Sequence, residues 1–126
     1  MRFNPSLEEE LISKNWKDFE AKVAEILLAN DFEIKKNFRI GREEIDILAI
    51  GSRYNLAIEC KRWRKPFIPL KTIERHIAKT QKIQSDKKIY PIFVTLFEDK
   101  IFYRGVWLVP IYKLNNFLIE IDKYLD

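Results

Sequence analysis

The stretch EEIDILAIGSRYNLAIECKRW, residues 43–63, decides the fold of this chain. Apolar residues alternate with acids over residues 44–50, and a second apolar run occupies residues 55–63. Alternation with a period of two, bounded by turn residues, is typical of half-buried strands. The four residues between the runs, GSRY, are a short enough loop to join two neighbouring antiparallel strands. The sequence therefore predicts a β-hairpin.

The length of this loop fixes which side chains face each other across the hairpin. A four-residue loop pairs Ile50 with Asn55, and the same register places Asp46 opposite Glu59. Because side chains alternate along a strand, Lys61 is predicted on the same face as these two acids. Two carboxylates directly across a strand pair repel each other and lower stability. Their presence at this place therefore requires an explanation.

Two interpretations of these acids remain open from the residues alone. A divalent cation between Asp46 and Glu59 would reverse the repulsion, since Mg²⁺ binds one or two carboxylates together with water and substrate phosphate. Lys61 would then orient or deprotonate a water, or neutralise charge that develops on a phosphate. In the other interpretation both acids are solvated, and Glu44 and Lys61 form an exposed cross-strand ion pair worth under about 1 kcal/mol.

A helix is predicted before the hairpin, from the N-cap Ser6 to about Asn30, with Asn15 as a candidate break. Glu20 falls inside the arc of its apolar stripe, so a carboxylate on the core-facing side could complete a metal site laterally. Alternatively, Glu20 lies at the edge of the stripe and its acid reaches solvent. The stripe consists of Trp16, Phe19, Val23 and Leu27.

The remaining pattern predicts a mixed central β-sheet flanked by helices. Residues 32–40 read as a strand, residues 70–85 as an amphipathic helix, and residues 89–97 as a buried strand with a proline near its start or on an edge. One or two further strands fall within residues 101–110, and the tail ends in a helix with an apolar stripe over residues 114–125. Helices alternating with strands in this order indicate the α/β class.

Composition limits the class of protein. The 126 residues are expected to form one domain, 1–126, with 47% hydrophobic and 33% charged residues. A single cysteine, Cys60, excludes an internal disulfide and is typical of a reducing cytoplasm, and a single histidine, His76, excludes a poly-histidine metal site. Three glycines leave no phosphate-binding loop for a small-molecule cofactor. No signal peptide or membrane-spanning run is visible, so we expect a cytoplasmic protein without a membrane partner.

With these residues in view, the chain resembles the PD-(D/E)xK nuclease superfamily, the restriction-endonuclease-like fold with α-β-β-β-α-β order. The resemblance is carried by WKDFEAKVAEIL, EEIDILAI and LAIECKRW, at residues 16–27, 43–50 and 56–63. Archaeal Holliday-junction resolvases have a similar early glutamate and IECK-type strand, and Mrr-type restriction endonucleases have a similar helix and CKRW-like continuation. The resemblance implies a deoxyribonuclease that depends on Mg (or Mn) and hydrolyses phosphodiester bonds in DNA.

The resemblance also implies a role for each site residue. Asp46 and Glu59 would bind the metal together with the backbone carbonyl of Cys60, Lys61 would position the attacking water, and Glu20 would be an auxiliary carboxylate. Two departures from the family pattern are visible: isoleucine stands where the motif has proline before the aspartate, and FRIGREE lacks the serine found in the resolvase branch. A helical glutamine of some branches is matched by either Gln81 or Gln84, without a basis for choosing.

The segment KRWRKPF, residues 61–67, interleaves basic and aromatic residues directly after the predicted site. In a nucleic-acid enzyme its cations would hold phosphates while Trp63 or Phe67 packs or stacks. Alternatively, Trp63 belongs to the core and the cations are only solvated. The candidate nucleic-acid-binding residues are Arg42, Arg62, Arg64, Lys65, Lys71, Arg75 and Lys79, the last three on the expected exposed side of a helix.

A homodimer is expected, because cutting both strands of DNA needs two active sites. The apolar segment at residues 101–112 is the candidate interface. Selectivity for DNA shape is expected over recognition of a long sequence, because phosphate contacts carry no sequence information. The alternative function is that of a catalytically silent nucleic-acid-binding or interaction subunit of a larger complex.

Overall fold

The structure, a computed structural model, describes residues 16–125, apart from the side chain of Trp16. The predicted cap Ser6 and the candidate break at Asn15 lie outside the described residues. The elements are α1 (Trp16–Ala29), β1 (Glu33–Ile40), β2 (Glu43–Ile50), β3 (Asn55–Cys60), α2 (Leu70–Gln81), β4 (Ile89–Thr95), β5 (Ile101–Tyr103), β6 (Val106–Pro110) and α3 (Ile111–Ile119), followed by a 3-10 turn at Ile121–Lys123.

The strands form one six-stranded sheet in the order β1-β2-β3-β4-β6-β5. The first three strands pair antiparallel as a meander, whereas β4 runs parallel to β3 and β6 runs parallel to β4. A parallel neighbour requires a crossover connection, and α2 provides it between β3 and β4. The predicted mixed sheet flanked by helices, in α-β-β-β-α-β order, is therefore confirmed.

The two faces of the sheet are covered by different helices. On one face, α1 and α3 pack on a core that includes Leu56, Ile58 and Ile92, all fully buried. On the other face, α2 packs through Ile73 onto Phe93 and its neighbours. The molecule thus has three layers, with the sheet in the middle. The C-terminal ends of β3 and β4 lie next to each other, beside the loop that follows β3.

Several element bounds differ from the pattern-based expectations. The second helix ends at Gln81, before the predicted limit of residue 85, and β3 ends at Cys60. Pairing with β4 nevertheless continues past β3, because the Lys61 N–H donates to the Val94 carbonyl at 2.8 Å. Pro91 was predicted near the start of its strand or on an edge strand. It lies near the start of β4, which is a central strand of the sheet.

The apolar segment at residues 101–112, the candidate dimer interface, is largely used inside the chain itself. Val106, Leu108 and Val109 are fully buried within the sheet and its helices. Phe102 is the large hydrophobic side chain of this segment that remains exposed, at 58%. The surplus of apolar residues that suggested an interface is thus accounted for by β6 and the start of α3.

Candidate functional site

The register of the hairpin agrees with the expectation from its loop length. Ile50 pairs with Asn55, and the ladder between β2 and β3 continues to Ile47 opposite Ile58. One position further, the carboxylate of Asp46 accepts a hydrogen bond from the backbone N–H of Cys60 at 2.8 Å. Where the ladder between β2 and β3 ends, the side chain of Asp46 therefore replaces a backbone carbonyl as the acceptor for the Cys60 N–H.

Strand β2 is irregular at Asp46. In the register of β1 with β2, the residue opposite Asp46 is Asn37. These two residues are not paired, although their neighbours on both sides are, and Asn37 has a φ of 51°. Asparagine tolerates this left-handed conformation better than most residues do. Ile45 and Leu48 also pack in one cluster although they are three residues apart, whereas strict alternation would place them on opposite faces. The irregularity interrupts alternation where the carboxylate of Asp46 turns toward Cys60.

Glu59 is a buried acid on the α2 side of the sheet, only 8% exposed. Its Oε1 lies 3.3 Å from the ammonium of Lys79 and 4.0 Å from Nδ1 of His76. Burial raises the pKa of Glu59, and the negative charge of Asp46 raises it further, while the positive charges of Lys79 and Lys61 oppose both effects. The dominant influence is burial, so the carboxylate binds protons more readily than an exposed glutamate.

His76, on α2, is buried beside Glu59. Its Nε2 donates to the carbonyl of Ala57 at 2.9 Å, which leaves Nδ1 as an acceptor without a hydrogen-bond partner. Burial lowers the pKa of His76 to about 4, so the ring is neutral near pH 7. The pattern of α2 contained a signal for this position, because Ile73, His76 and Thr80 follow helical spacing and all three are buried.

The charges of the four predicted catalytic residues all act on the thiol of Cys60. The buried thiol has a pKa well above its usual value, first because of burial and then because of the charges of Asp46, Glu20 and Glu59. Lys61 lies close enough for its positive charge to lower the pKa of Asp46, although burial raises the pKa of that acid overall. Direct contacts fix the surroundings of Asp46 and Glu59, whereas Glu20 and Lys61 are related to this place through the effect of their charges on these pKa values.

The donor set at this place fits a hard cation in part. Asp46 and Glu59 carry mutually repelling charges in a partly buried setting, and Mg²⁺ binds one or two carboxylates with water completing its shell. Within residues 16–125, however, no three His, Cys, Asp or Glu side chains lie close enough to enclose a metal ion. A cation here would therefore depend on water, a backbone carbonyl or a bound phosphate for its remaining ligands.

Lys79 lies elsewhere than its helical position suggested. It was predicted on the exposed side of the helix, but its side chain is 11% exposed and its ammonium lies between Glu59 and the backbone carbonyl of Glu44, at 3.3 and 2.8 Å. The predicted pair of Glu44 and Lys61 is also replaced, because the carboxylate of Glu44 lies 3.6 Å from Arg39. Packing of α2 on the sheet decides the pairing of Lys79, and the register of β1 with β2, which sets Arg39 opposite Glu44, decides the pairing of Glu44.

The other candidate phosphate contacts are on the surface. Arg64 and Lys65 are exposed in the loop after β3, whereas the ring of Trp63 stacks on Phe93 and Phe97 and belongs to the core. The choice between Gln81 and Gln84 stays open, since both are exposed. The remaining exposed candidates are Arg42 in the turn between β1 and β2, Arg62 after β3, and Lys71 and Arg75 on α2.

Comparison with known proteins gives the class to which this fold and site belong. Residues 15–97 match the family model of the nuclease-related domain (NERD), which is more than half of the chain. The chain therefore belongs to the nuclease-related domain family. The matched span runs from α1 through β4 and contains all of the predicted catalytic residues. Together with the sheet topology, this supports a PD-(D/E)xK-like nuclease fold.

Individual proteins resemble the chain to different extents. An uncharacterized protein of Archaeoglobus fulgidus is 30% identical over 124 residues, covering 87% of this chain and 94% of that protein. The small subunit of the heterodimeric restriction endonuclease R.BspD6I has the same fold, with a TM-score of 0.56 and 13% identity over 94% of this chain and 77% of the subunit. A crystallised protein of unknown function gives a TM-score of 0.49 at 25% identity, over 61% of this chain and 46% of its own.

None of the helices between residues 16 and 125 has the length and apolarity that crossing a membrane requires.

Proposed function

We propose that this protein is a metal-dependent DNA endonuclease. The observation that carries the proposal is the pair of partly buried acids at the end of the hairpin, where Asp46 accepts the Cys60 N–H at 2.8 Å and its charge acts on Glu59. Two acids held partly buried and near each other raise the free energy of the folded chain, as electrostatic sites for catalysis commonly do. Membership of the nuclease-related domain family supports the same conclusion.

Each residue has a role in this proposal. Asp46, Glu59 and the carbonyl of Cys60 would hold Mg²⁺ or Mn²⁺, which would supply Lewis-acid stabilisation of charge on the scissile phosphate. Lys61 positions the attacking water by hydrogen bonding, and its charge opposes the rise in the pKa of Asp46 that burial causes. Glu20 reaches the site from α1 as an auxiliary carboxylate.

The proposed substrate is DNA, held by the exposed cations of the loop after β3 and of α2. Selectivity for branched or otherwise distorted DNA is part of the proposal, because the chain offers phosphate contacts along this surface. Cutting both strands requires a second active site, supplied by a second copy of this chain or by another subunit. The structural neighbour from R.BspD6I is one subunit of a heterodimer.

A second candidate function is supported by a specific observation. The ammonium of Lys79 already lies 3.3 Å from Glu59, and the described residues offer no set of three metal-binding side chains. A carboxylate neutralised by a lysine of the same chain is suited to a nucleic-acid-binding or interaction subunit that does not cut. The two candidates differ in one measurable property, which is cleavage that depends on added metal.

The test uses supercoiled, linear, branched and single-stranded DNA, each incubated with Mg²⁺, Mn²⁺ or EDTA. Cleavage in the presence of metal that Asp46→Asn, Glu59→Gln and Lys61→Ala each abolish supports the enzyme. Glu44→Gln is the matched control, because this exposed acid lies on the same strand as Asp46 and should leave cleavage unchanged. Tight, salt-sensitive binding without cleavage under either metal would replace the enzyme by the silent binding subunit.

A further inference from the structure

The loop between β3 and α2 presents one aromatic ring to solvent. Phe67 is 84% exposed, more than any other large hydrophobic side chain in the described part of the chain. Burying a phenylalanine side chain stabilises a folded protein, so this position forgoes a stabilisation that folding usually secures. A ring held outside the core in this way is suited to a contact with another molecule.

The backbone around Phe67 holds the ring outward. The N–H of Phe67 donates to the carbonyl of Lys65 at 2.7 Å, which closes a tight turn around Pro66. The next residue, Ile68, packs into the cluster beneath α2, and the carbonyl of Pro69 accepts the N–H of Thr72 at 3.0 Å at the start of that helix. Because its neighbours are fixed to the core and to the helix, Phe67 projects from a fixed base.

The other end of the loop is also anchored. The Leu96 N–H donates to the carbonyl of Trp63 at 2.8 Å, which continues the pairing between β3 and β4. The ring of Trp63 stacks on Phe93 at 5.9 Å between centroids and on Phe97 at 6.4 Å. Of the two aromatic residues in KRWRKPF, Trp63 is thus part of the core and Phe67 is available to a ligand.

The charge around Phe67 has one sign. Residues 61–73 contain no acid, and Arg64 and Lys65 on the approach to Phe67 are exposed. A ring beside exposed cations is the arrangement by which proteins bind single-stranded nucleic acid, with bases stacked on the ring and phosphates on the cations. The basic residues of this segment are Lys61, Arg62, Arg64, Lys65 and Lys71.

We propose that Phe67 is a stacking platform for an unpaired base of a DNA strand whose phosphates are bound by Arg64 and Lys65. This inference rests on the proposed nucleic-acid function and deepens it by naming the substrate class, which is DNA with unpaired bases such as a single strand, a flap or a fork. Phe67 lies six positions after Lys61, so the Cα atoms of these two residues are at most about 20–22 Å apart. In an intact duplex the bases stack on each other and leave no face for this ring.

The experiment measures binding in EDTA, so that it does not depend on cleavage. The probes are a single strand of about 15 nucleotides, a length within the range covered by single-strand-binding domains, and the duplex of the same sequence. An internal 2-aminopurine reports stacking by quenching of its fluorescence. The variants are Phe67→Ala, Phe67→Leu and Phe67→Trp, with Phe102→Ala as the matched control for loss of an exposed phenylalanine.

The expected result is a selective loss. Phe67→Ala and Phe67→Leu weaken single-strand binding about 5- to 100-fold and reduce the quenching, while duplex affinity changes little. Phe67→Trp retains both signals, and Phe102→Ala binds as the unchanged protein does. Arg64→Ala and Lys65→Ala weaken both forms of DNA and lower the salt dependence of binding.

Three outcomes with DNA would overturn the inference: unchanged single-strand affinity in Phe67→Ala, an equal loss of duplex affinity, or full single-strand affinity in Phe67→Leu. The fourth comes from the same variants tested on phosphatidylserine vesicles. If Phe67→Ala weakens only vesicle binding, the loop belongs to a membrane surface. Because no metal is present, the result is independent of catalysis. DNA cleavage with an inert Phe67 refutes only the platform, and base stacking without any cleavage refutes only the nuclease.

Discussion

Replacing Lys79 with methionine tests how the protein stabilises the buried carboxylate of Glu59. The two charged atoms are 3.3 Å apart and both side chains are 11% exposed. Coulomb's law gives about 5 kcal/mol for this separation at an effective dielectric constant of about 20. Desolvation of both groups offsets much of this, so we expect a net coupling of about 1–3 kcal/mol, as for a hydrogen bond between charged partners.

The coupling is measured by a double-mutant cycle of Lys79→Met and Glu59→Gln, using the free energy of unfolding from urea titrations. It exists only while Glu59 is ionised. Because the folded pKa of Glu59 is raised above its usual value, the folded chain binds the proton first, and Glu59 lowers stability as pH rises through that range. Removing Lys79 raises the pKa further, so the cost of Lys79→Met is larger at about pH 8 than at about pH 5.

Lys82→Met is the matched control for this cycle. Lys82 follows three residues later and its ammonium lies 2.6 Å from Glu43, but its side chain is 58% exposed. Solvent screens this pair, so we expect a much smaller and pH-independent change. An absent coupling between Lys79 and Glu59 would show that the buried pair contributes nothing to the folded state. A coupling that is equal at both pH values would contradict the raised pKa of Glu59.

Three other predictions concern stability. His76→Gln should flatten the pH dependence of the free energy of unfolding, because the pKa of His76 falls from 6.5 to about 4 on folding. The contribution of His76 to stability is complete above pH 6.5 and is lost as the pH falls toward 4, and an unchanged profile in urea titrations would contradict this. Gly51→Ala should lower stability by about 1–3 kcal/mol, because an added Cβ would lie 2.6 Å from the carbonyl oxygen of Tyr54 in the hairpin loop; Ser52→Ala is the control for thermal melting. Asp46→Ala should cost about 1–3 kcal/mol by leaving the Cys60 N–H without its acceptor, whereas Asp46→Asn retains an acceptor oxygen and should melt close to the unchanged protein.

The order of elements and the hairpin register could be predicted because both depend on local pattern. Alternation and a four-residue loop are sufficient to pair Ile50 with Asn55 and to bring Asp46 near Glu59. The burial of Cys60 on the face opposite Glu59 follows from the same alternation and is confirmed. Local rules therefore determine the part of the site that lies on the two strands.

The partners of these acids could not be predicted, because they depend on how α2 packs across the sheet. A helical projection alone leaves Lys79 on the exposed side, whereas the packing of Ile73 and His76 rotates its ammonium onto Glu59. The left-handed Asn37 is likewise invisible in an otherwise regular strand, although it lies opposite Asp46 and accompanies the break in alternation. Tertiary contact and backbone irregularity, not composition, complete the site.

The repulsion predicted between Asp46 and Glu59 is compensated in two different ways. Asp46 accepts a backbone N–H, a donor that cannot move without opening β3, whereas Glu59 pairs with a lysine on a flexible side chain. A cation that binds both acids would therefore leave the contact at Asp46 largely intact but must compete with the ammonium of Lys79 for Oε1 of Glu59. Since Lys79 also bonds the carbonyl of Glu44 at 2.8 Å, it keeps one partner when Glu59 is taken. Lys79 thus neutralises Glu59 in the unbound chain. When a cation displaces Lys79 from Glu59, the free-energy cost is smaller than the loss of both of its contacts, because the one to Glu44 remains.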